Sequence, residues 1–416
     1  KGLRWRDRGR ERGRADRIAI IRHSSYPADM HIRRDALALR DAGFDVDLIC
    51  DAEADRPMLE KVDGITVCRV PPGHKRGSLL RYLMEYTAFP LTAGAAAAIR
   101  CLRRPYQWIE INNMPDWLLL AALIPKLLGA RVVLYSREDM ARLFAADHDL
   151  APGHPLIRLL SGLERACISM ADQVIVTHEM AREALIKRGV PARKIVAIPN
   201  APDEQAFFAG LQTVPVPKVP EHRESFRLVT HGTLVRRYGI ETLLEALAIV
   251  RHNLPTIHLE ILGDGEYRPE LESLVDRLNL RPNVTFAGYL PSYGDVAPRL
   301  LQADVGVVAI WTDFQLCNKL TDYLALGMPA ITTESAALRP YLDDNAVQFV
   351  EPRNAGALAR AILTLHWDLH RRTELARQGQ AAYREHFAWS QARSDYLSVY
   401  ETQMEFSRNL PGITPA

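Results

Sequence analysis

One stretch of the C-terminal half carries charged side chains at the most specific spacing in the sequence. Val305 to Ile310 is an apolar run typical of a strand buried on both faces, and residues 318–326 continue with apolar residues at helical spacing. Lys319 lies in the first turn of this predicted helix, which Asn318 would cap, and Asp322 follows on the same face. Because a lysine there opposes the helix dipole, it needs an anion nearby. The stretch therefore predicts an anion site outside the carboxyl end of a parallel strand, where open α/β sheets bind ligands.

A glycine-containing loop in the same half supplies two arginines. The sequence HGTLVRRYG at residues 231–239 follows a predicted strand and precedes a predicted helix. Backbone amides around Gly232 and Thr233, the helix dipole, and the guanidinium groups of Arg236 and Arg237 would all favour the same anion. The loop therefore predicts a diphosphate site, and the alternative is two solvent-exposed arginines.

The two segments together predict how charge would be neutralised in a reaction. We expect Arg236 or Arg237 to converge with Lys319 on one pyrophosphate, and Arg237 and Lys319 to act as catalytic residues by stabilising a leaving diphosphate. This stabilisation needs no metal ion, and we expect neither a metal site nor a resident cofactor. The nearby Gly263 and Gly265 form only a GxG, a weak sign of NAD binding.

The N-terminal half begins with a βαβ unit whose first loop lies at the carboxyl end of a strand. Residues 17–22 predict the strand, a helix runs to Ala42, and residues 44–50 predict the next strand. An ordinary solvent-exposed loop explains each polar residue of this loop equally well. The loop side chains that would instead face a bound ligand are Ser24, Ser25, Tyr26 and Asp29.

Two later loops of this half also carry polar side chains. Asn113 and Asp116 lie between a predicted strand and a predicted helix over residues 117–128, where Asp116 would also favour helix initiation. Glu138 and Asp139 follow the strand over residues 131–135, and either carboxylate is a candidate general base. Ordinary surface acids are the alternative. His148 is a competing candidate, and the Asp-x-Asp around it is interpreted as a solvated loop.

The motifs resemble those of glycosyltransferase family 4, retaining enzymes of the GT-B fold. The resemblance rests on residues 113–116 (NMPD), residues 231–239 and residues 318–329 (NKLTDYLALGMP), and it extends over nearly the whole chain from residue 17. It implies an α/β protein with two Rossmann-like βαβ domains that face each other across a cleft. The nucleotide sugar would bind to the second domain and the acceptor to the first, where the loop residues named above would lie.

The resemblance also implies roles for the donor side. Asp322 would meet the ribose, and the loop with Gly263 and Gly265 would border the base. The donor-binding set is therefore Gly232, Thr233, Arg236, Arg237, Gly263, Gly265, Lys319, Leu320 and Asp322.

Three positions replace a usual polar or acidic residue of the family pattern. Phe314 occupies the place of a first glutamate, with Asp313 one residue early, and Asn112 and Arg137 each occupy the place of a histidine. The implied activity is transfer of a sugar, with retention, from a nucleotide-diphosphate sugar to a hydroxyl of a saccharide, a lipid-linked saccharide or a small molecule, as in polysaccharide biosynthesis. A non-catalytic relative that binds a nucleotide sugar or a partner glycosyltransferase stays open, and a nucleotide-sugar 2-epimerase is less favoured because no acid/base pair flanks the site.

Length and composition favour two domains. The 416 residues, 48% of them hydrophobic, exceed what one core usually holds. We expect residues 1–16 to be a disordered basic tail, 17–204 the first domain, 205–224 a linker rich in Pro and Val, and 225–386 the second domain. Residues 387–416 would form a final helix that crosses back to the first domain, and a tail.

Charge and cysteine content bear on partners and compartment. A net charge of +2 does not favour nucleic acid, and five scattered cysteines suit a reducing compartment. We expect a cytoplasmic protein whose first residue, Lys1, indicates a truncated or processed start. The alternative for the basic tail is contact with anionic lipid headgroups at the inner membrane face. The oligomeric state is not encoded in any pattern we recognise.

Overall fold

The structure, a computed structural model, divides the chain into two compact units. Unit 1 comprises residues 1–198 and 392–416, and unit 2 comprises residues 199–391. The residues that the structure describes are 15–73, 79–151, 153–212, 225–290 and 292–408. Most of the predicted basic tail and linker, residues 1–14 and 213–224, lies outside them.

Unit 1 contains one eight-stranded sheet. Its strands are β1 (Arg17–Arg22), β2 (Asp45–Asp51), β3 (Leu59–Val62), β4 (Ile65–Val70), β5 (Trp108–Asn112), β6 (Arg131–Ser136), β7 (Gln173–Val176) and β8 (Ile195–Ala197). The strand order is β3-β4-β2-β1-β5-β6-β7-β8, and every pairing is parallel except that of β3 with β4. Residues 18–21 of β1 are fully buried, as expected for a central parallel strand covered on both faces.

The helices of unit 1 connect these strands. They are α1 (Met30–Asp41), α2 (Leu79–Arg103), α3 (Leu123–Leu127), α4 (Met140–Asp147), α5 (Pro155–Met170) and α6 (Glu179–Lys187). Two 3₁₀ helices, Asp116–Ala122 and Ala192–Lys194, complete the unit's described helical segments before residue 198.

The sequence did not predict β3, β4 and α2, and it predicted one continuous helix over residues 117–128. The structure has a 3₁₀ helix followed by the short α3 instead. Pro125 explains part of this difference, because it has no amide hydrogen to donate to the carbonyl four residues earlier. In α2, Pro90 and a run of alanines hide the periodicity that would have indicated a helix.

Unit 2 contains a six-stranded parallel sheet. Its strands are β9 (Arg227–His231), β10 (His258–Leu262), β11 (Val284–Gly288), β12 (Val305–Val308), β13 (Ala330–Thr333) and β14 (Gln348–Val350). The order β11-β10-β9-β12-β13-β14 reverses direction between β9 and β12, which is the switch point where such sheets form a ligand crevice.

The helices of unit 2 form two core clusters with the sheet. They are α7 (Glu204–Ala209), α8 (Ile240–Val250), α9 (Arg268–Arg277), α10 (Val296–Leu300), α11 (Asn318–Ala325), α12 (Ala355–Trp367) and α13 (Leu369–Ala382). Helix α7 lies where the sequence predicted the start of the linker. Asp203 caps it, and Phe207 is fully buried against Tyr293, so these residues belong to the folded unit.

The final helix, α14 (Trp389–Arg408), belongs to unit 1 from residue 392 onwards. The hydroxyl of Tyr396 donates to Glu110 Oε2 at 2.6 Å, and the hydroxyl of Tyr400 donates to the same carboxylate. Glu110 is fully buried in β5, and its burial raises its pKa. These buried hydrogen bonds attach the C-terminal helix to the sheet of unit 1.

Candidate functional site

The loops that follow β9 and β12 meet at the switch point of unit 2. The amide of Trp311, in the loop after β12, donates a 2.9 Å hydrogen bond to the carbonyl of Arg237, in the loop after β9. The first loop carries the two predicted arginines, and the second leads into α11 with Lys319. The fold therefore brings the two predicted anion-binding segments to one edge of the sheet.

Gly232 is the point of closest approach between these segments. It has a φ of +103°, and a Cβ built on it would lie 2.8 Å from Cε of Lys319. Any side chain here would be strained and would displace the lysine. The glycine therefore allows Lys319 to lie against the backbone of the loop.

Lys319 is buried beside a second cation. It is 6% exposed, and its Nζ lies 3.6 Å from the centroid of the Tyr238 ring. The guanidinium carbon of Arg237 lies 5.2 Å from the centroid of the same ring. Burial lowers the pKa of Lys319 to about 8; Cys317 acts in the opposite direction, and the positive charge of Arg237 lowers the pKa further. Two cations held this close together, one of them buried, form a site that favours an anion.

Arg236 and Thr233 differ from Arg237 in their surroundings. Both side chains are exposed, and the guanidinium of Arg236 lies 5.8 Å from the centroid of Trp311. Of the two predicted arginines, Arg237 is thus the one that the structure places next to Lys319.

Helix α11 differs in detail from the prediction. Cys317 is the N-cap and Asn318 is the first helical residue, so the expected side-chain cap by Asn318 is not formed. Leu320 is fully buried and packs in the core cluster of this sheet face, where it positions the helix. The register of α11 directs Lys319 towards the loop after β9 and the next residue, Leu320, towards the core.

Asp322 lies in a buried network that the sequence did not reveal. Its Oδ1 accepts a 2.6 Å hydrogen bond from the hydroxyl of Tyr293, and its Oδ2 lies 2.9 Å from Nε2 of His231. The other ring nitrogen of His231 lies 3.1 Å from the hydroxyl of Tyr323. These residues come from three separate segments. In the sequence, His231 lies next to Gly232, and Asp322 and Tyr323 lie close to Lys319, but nothing points to Tyr293.

Gly263 and Gly265 pack against the loop after β9. A Cβ on Gly263 would lie 2.1 Å from the carbonyl oxygen of Gly232, and one on Gly265 would lie 2.2 Å from that of Leu234. The GxG is therefore required for the close approach of two loops, whichever ligand binds there.

In unit 1, Asn113 joins the loops that follow β5 and β6. Its Nδ2 donates to Asp116 at 2.9 Å and to the carbonyl of Glu138 at 2.7 Å, and its Oδ1 accepts from the amide of Arg137 at 2.8 Å. Asn113 and Asp116 are buried, and burial raises the pKa of Asp116 to about 6. Both residues are therefore buried parts of the two loops at the carboxyl edge of the sheet, which the hydrogen bonds of Asn113 hold together.

The loop after β1 uses its polar residues mainly for its own structure. Asp29 caps α1 and lies 3.3 Å from Nε of Arg22; although burial raises its pKa, Arg22 and the helix amides lower it to about 2. The sequence predicted Tyr26 to be among the side chains that would face a ligand. In the structure Tyr26 is 1% exposed, so its ring belongs to the core instead. Ser24 and Ser25 remain half-buried at the edge of the sheet.

The two candidate bases have different roles. Asp139 caps α4 by accepting from the amide of Arg142 at 3.0 Å, and it lies 3.6 Å from a guanidinium nitrogen of Arg188. Glu138 is half-buried at the carboxyl edge of β6, where its charge acts on Arg22. Glu138 is therefore the better placed of the two for contact with a ligand.

Arg137 is part of a buried ionic network that sequence reasoning missed. Its guanidinium pairs with Asp35, donates to Asn112 Oδ1 at 2.7 Å, and lies 3.8 Å from the centroid of Tyr135. The signal available in the sequence was an arginine directly after a buried strand, but its partner Asp35 lies far away in the chain.

Within the described ranges, no three His, Cys, Asp or Glu side chains are grouped so that they could hold a metal ion. Of the helices in the described part of the chain, none combines the length and apolar character of a membrane-spanning segment.

Two sequence families match separate parts of the chain. The family described as "Glycosyl transferase 4-like domain" matches residues 28–201, and "Glycosyl transferases group 1" matches residues 225–368. The first match lies mostly in unit 1 and the second lies in unit 2. The chain belongs to the family 4 type of glycosyltransferases with the GT-B fold.

Individual relatives agree with this family. The chain is 32% identical over 174 residues to the lipopolysaccharide core biosynthesis glycosyltransferase LpsE of Rhizobium meliloti, which is 41% of this chain and 48% of that protein. The chain thus spans about half the length of this curated relative.

Solved structures agree with the two-unit architecture of this family 4 chain. Sucrose-phosphate synthase from Thermosynechococcus elongatus superimposes with a TM-score of 0.75 at 21% identity, over 94% of this chain and 100% of that one. Anabaena HepE in complex with UDP superimposes with a TM-score of 0.65 at 16% identity, over 94% and 100%. At these identities the likeness concerns the fold, which consists of two Rossmann-like domains.

Proposed function

We propose that the protein is a retaining glycosyltransferase that moves a sugar from a nucleotide-diphosphate sugar to a hydroxyl acceptor. The observation that carries this proposal is the pairing of Arg237 and Lys319 around the ring of Tyr238, at the carboxyl edge of β9 and β12. A lysine whose pKa is depressed by burial and by a neighbouring arginine gains most from a ligand that carries two or more negative charges.

The chemistry at the anomeric carbon needs the positive charge that Lys319 and Arg237 provide. When the glycosidic bond to the nucleotide breaks, negative charge develops on the leaving diphosphate. Lys319 and Arg237 would stabilise it from a poorly hydrated position, where electrostatic interactions are stronger than in water. The preorganised loop around Gly232 keeps both groups in place before the substrate arrives. This mechanism needs no metal ion, and retention follows from the resemblance to family 4.

Nucleotide sugars are the proposed donors. The HepE complex with UDP supports a nucleoside diphosphate as the ligand class. Asp322 would approach the ribose, as the family motif implies, while Tyr293 and His231 hold its carboxylate in one orientation. The GxG loop with Gly263 would lie near the base.

The acceptor is proposed to bind to unit 1. Glu138 lies half-buried at the carboxyl edge of β6, within the electrostatic influence of Arg22. As a carboxylate it would accept the proton of the attacking hydroxyl or hold that hydroxyl by a hydrogen bond. A saccharide or a lipid-linked saccharide fits this role, in keeping with the lipopolysaccharide relative.

One observation favours a second candidate, a relative that binds a nucleotide sugar without turnover. Phe314 occupies the position after β12 where the family motif has a glutamate, and the neighbouring Asp313 is exposed. A site without this carboxylate would still bind a diphosphate through Arg237 and Lys319.

Incubation with a panel of nucleotide sugars and saccharide acceptors separates these functions. A transferase releases nucleoside diphosphate only when acceptor is present, whereas a binding protein shows calorimetric heat without turnover. Arg237→Gln should abolish release, while Arg236→Gln, its exposed neighbour, should retain most of it. Equal activity of both variants would contradict the proposed site.

A further inference from the structure

One surface of unit 1 exposes an unusual number of apolar side chains. Of the eighteen large apolar side chains that are exposed in the described residues, twelve lie on α2, on residues 116–128 or on α5. The most exposed are Leu127 at 85%, Leu91 at 75% and Leu102 at 69%. We call the outward sides of these three segments the leucine face. Single exposed leucines are ordinary, but a concentration of them marks an interaction surface.

The three segments lie side by side. Helix α2 packs against the 3₁₀ helix of residues 116–122 and against α3, and α5 packs against the same 3₁₀ helix. Their inward side chains, for example Phe89, Leu118 and Ile168, share one core cluster on the sheet. Because the inward sides share a core, the outward sides form one continuous surface.

The exposed residues of α2 follow one line along the helix. Met84, Leu91, Ile99 and Leu102 are separated by seven, eight and three positions, which returns each of them to the same side of an α-helix. The outward positions between them include Thr87 and Ala95, neither of which carries a charge. The line is therefore uncharged from Met84 to Ile99, over about four turns.

Charge on the leucine face has a single sign. The acidic residues of the three segments are Glu85, Asp116 and Glu164, and they are 3%, 4% and 7% exposed. In contrast, Arg103, Arg158 and Arg165 are exposed. All the carboxylates of these three segments are thus buried, while arginines of the same segments are exposed.

We propose that the leucine face docks on the surface of an anionic lipid bilayer. The leucines would enter the headgroup region and the arginines would contact lipid phosphates, the arrangement expected of a protein that lies on a membrane. A second copy of the chain fits less well, because in a two-fold contact of this face the three segments would offer exposed arginines to each other and no exposed carboxylate of their own. A lipid surface supplies an anion to each of them.

Vesicle flotation of the full chain tests the apolar part of this proposal. Vesicles of phosphatidylcholine with phosphatidylglycerol should bind the protein, and pure phosphatidylcholine should bind it much more weakly. The triple variant Leu91→Gln, Leu127→Gln, Leu159→Gln should lose binding at least tenfold. The matched control, Trp367→Gln with Leu369→Gln, changes exposed apolar residues of unit 2 and should bind as the parent does. Circular dichroism verifies that each variant is folded.

A second variant tests the electrostatic part. Each arginine near an anionic surface is worth roughly a fivefold change in binding. Replacing Arg103, Arg158 and Arg165 with glutamine should therefore weaken vesicle binding by roughly a hundredfold. Added salt should also weaken the binding of the parent protein. Glutamine at Arg277, Arg360 and Arg384, exposed on unit 2, is the control and should change binding little.

Three outcomes would overturn the proposal. The leucine variant could float as well as the parent, which would assign binding to the basic residues 1–14 that it retains. The parent could fail to bind anionic vesicles at all. It could instead form a dimer by light scattering that the leucine variant abolishes, which would assign the face to a second copy. These readouts measure binding alone, so they stand or fall independently of transferase activity.

Discussion

Replacing Lys319 with methionine should stabilise the free protein while weakening its nucleotide binding. The pKa of Lys319 is lowered from 10.5 to about 8, mainly by burial. At 1.36 kcal/mol per pKa unit this corresponds to about 3 kcal/mol of unfavourable free energy whenever the buried lysine is charged. Between pH 8 and 10.5 the unfolded chain binds a proton that the folded chain lacks, so the stability of the parent rises with pH in that window.

The variant therefore has opposite effects on stability and on binding. At pH 7 the methionine, similar in length but uncharged, should raise the free energy of unfolding by about 1–3 kcal/mol, and the gain should disappear above pH 10.5. A hydrogen bond to a charged group is worth about 1.5–3 kcal/mol, so affinity for a nucleoside diphosphate should fall roughly 10- to 150-fold. Urea unfolding at several pH values and calorimetry measure the two quantities. Lys187→Met, at an exposed lysine of α6, is the control. A destabilised Lys319 variant with unchanged nucleotide affinity would refute the reasoning.

Three further predictions concern neighbouring residues. Gly232→Ala places a Cβ 2.8 Å from Lys319 Cε at a φ of +103°, so it should lower stability by about 1–3 kcal/mol in urea unfolding and weaken diphosphate binding in calorimetry. Nucleoside diphosphate affinity, measured by calorimetry, should fall by up to about tenfold per pH unit above pH 8, because Lys319 of the unliganded protein loses its proton there, and the total loss should not exceed that of Lys319→Met. Glu138→Gln should lower the transfer rate by about 10²-fold or more, whereas Asp139→Asn, which retains a helix cap, should change it little in the same assay.

Much of the donor side could be predicted because its residues lie in two short segments with recognisable local patterns. Lys319 follows a buried strand at the start of a helix, and Arg237 follows a glycine loop, so each could be assigned to a strand end without knowledge of tertiary contacts. The distinction between Arg236 and Arg237 could not be predicted. It depends on which guanidinium the 3₁₀ turn directs towards Tyr238.

The contacts made by side chains far apart in sequence required the structure. Asp322 meets Tyr293 and His231 because three segments converge, and no spacing in the sequence encodes that convergence. On the acceptor side, Asp29 and Asp139 are polar residues before helices, for which capping is the ordinary role.

The central claim is that Arg237 and Lys319 bind the diphosphate of a nucleotide sugar. Calorimetric titration of the parent, Arg237→Gln and Lys319→Met with nucleoside diphosphates and with the corresponding nucleosides tests it most directly. The account predicts that both variants lose affinity for the diphosphates and keep whatever affinity the parent has for the nucleosides. Unchanged binding of the diphosphates, or an equal loss for nucleosides that carry no phosphate, would contradict it.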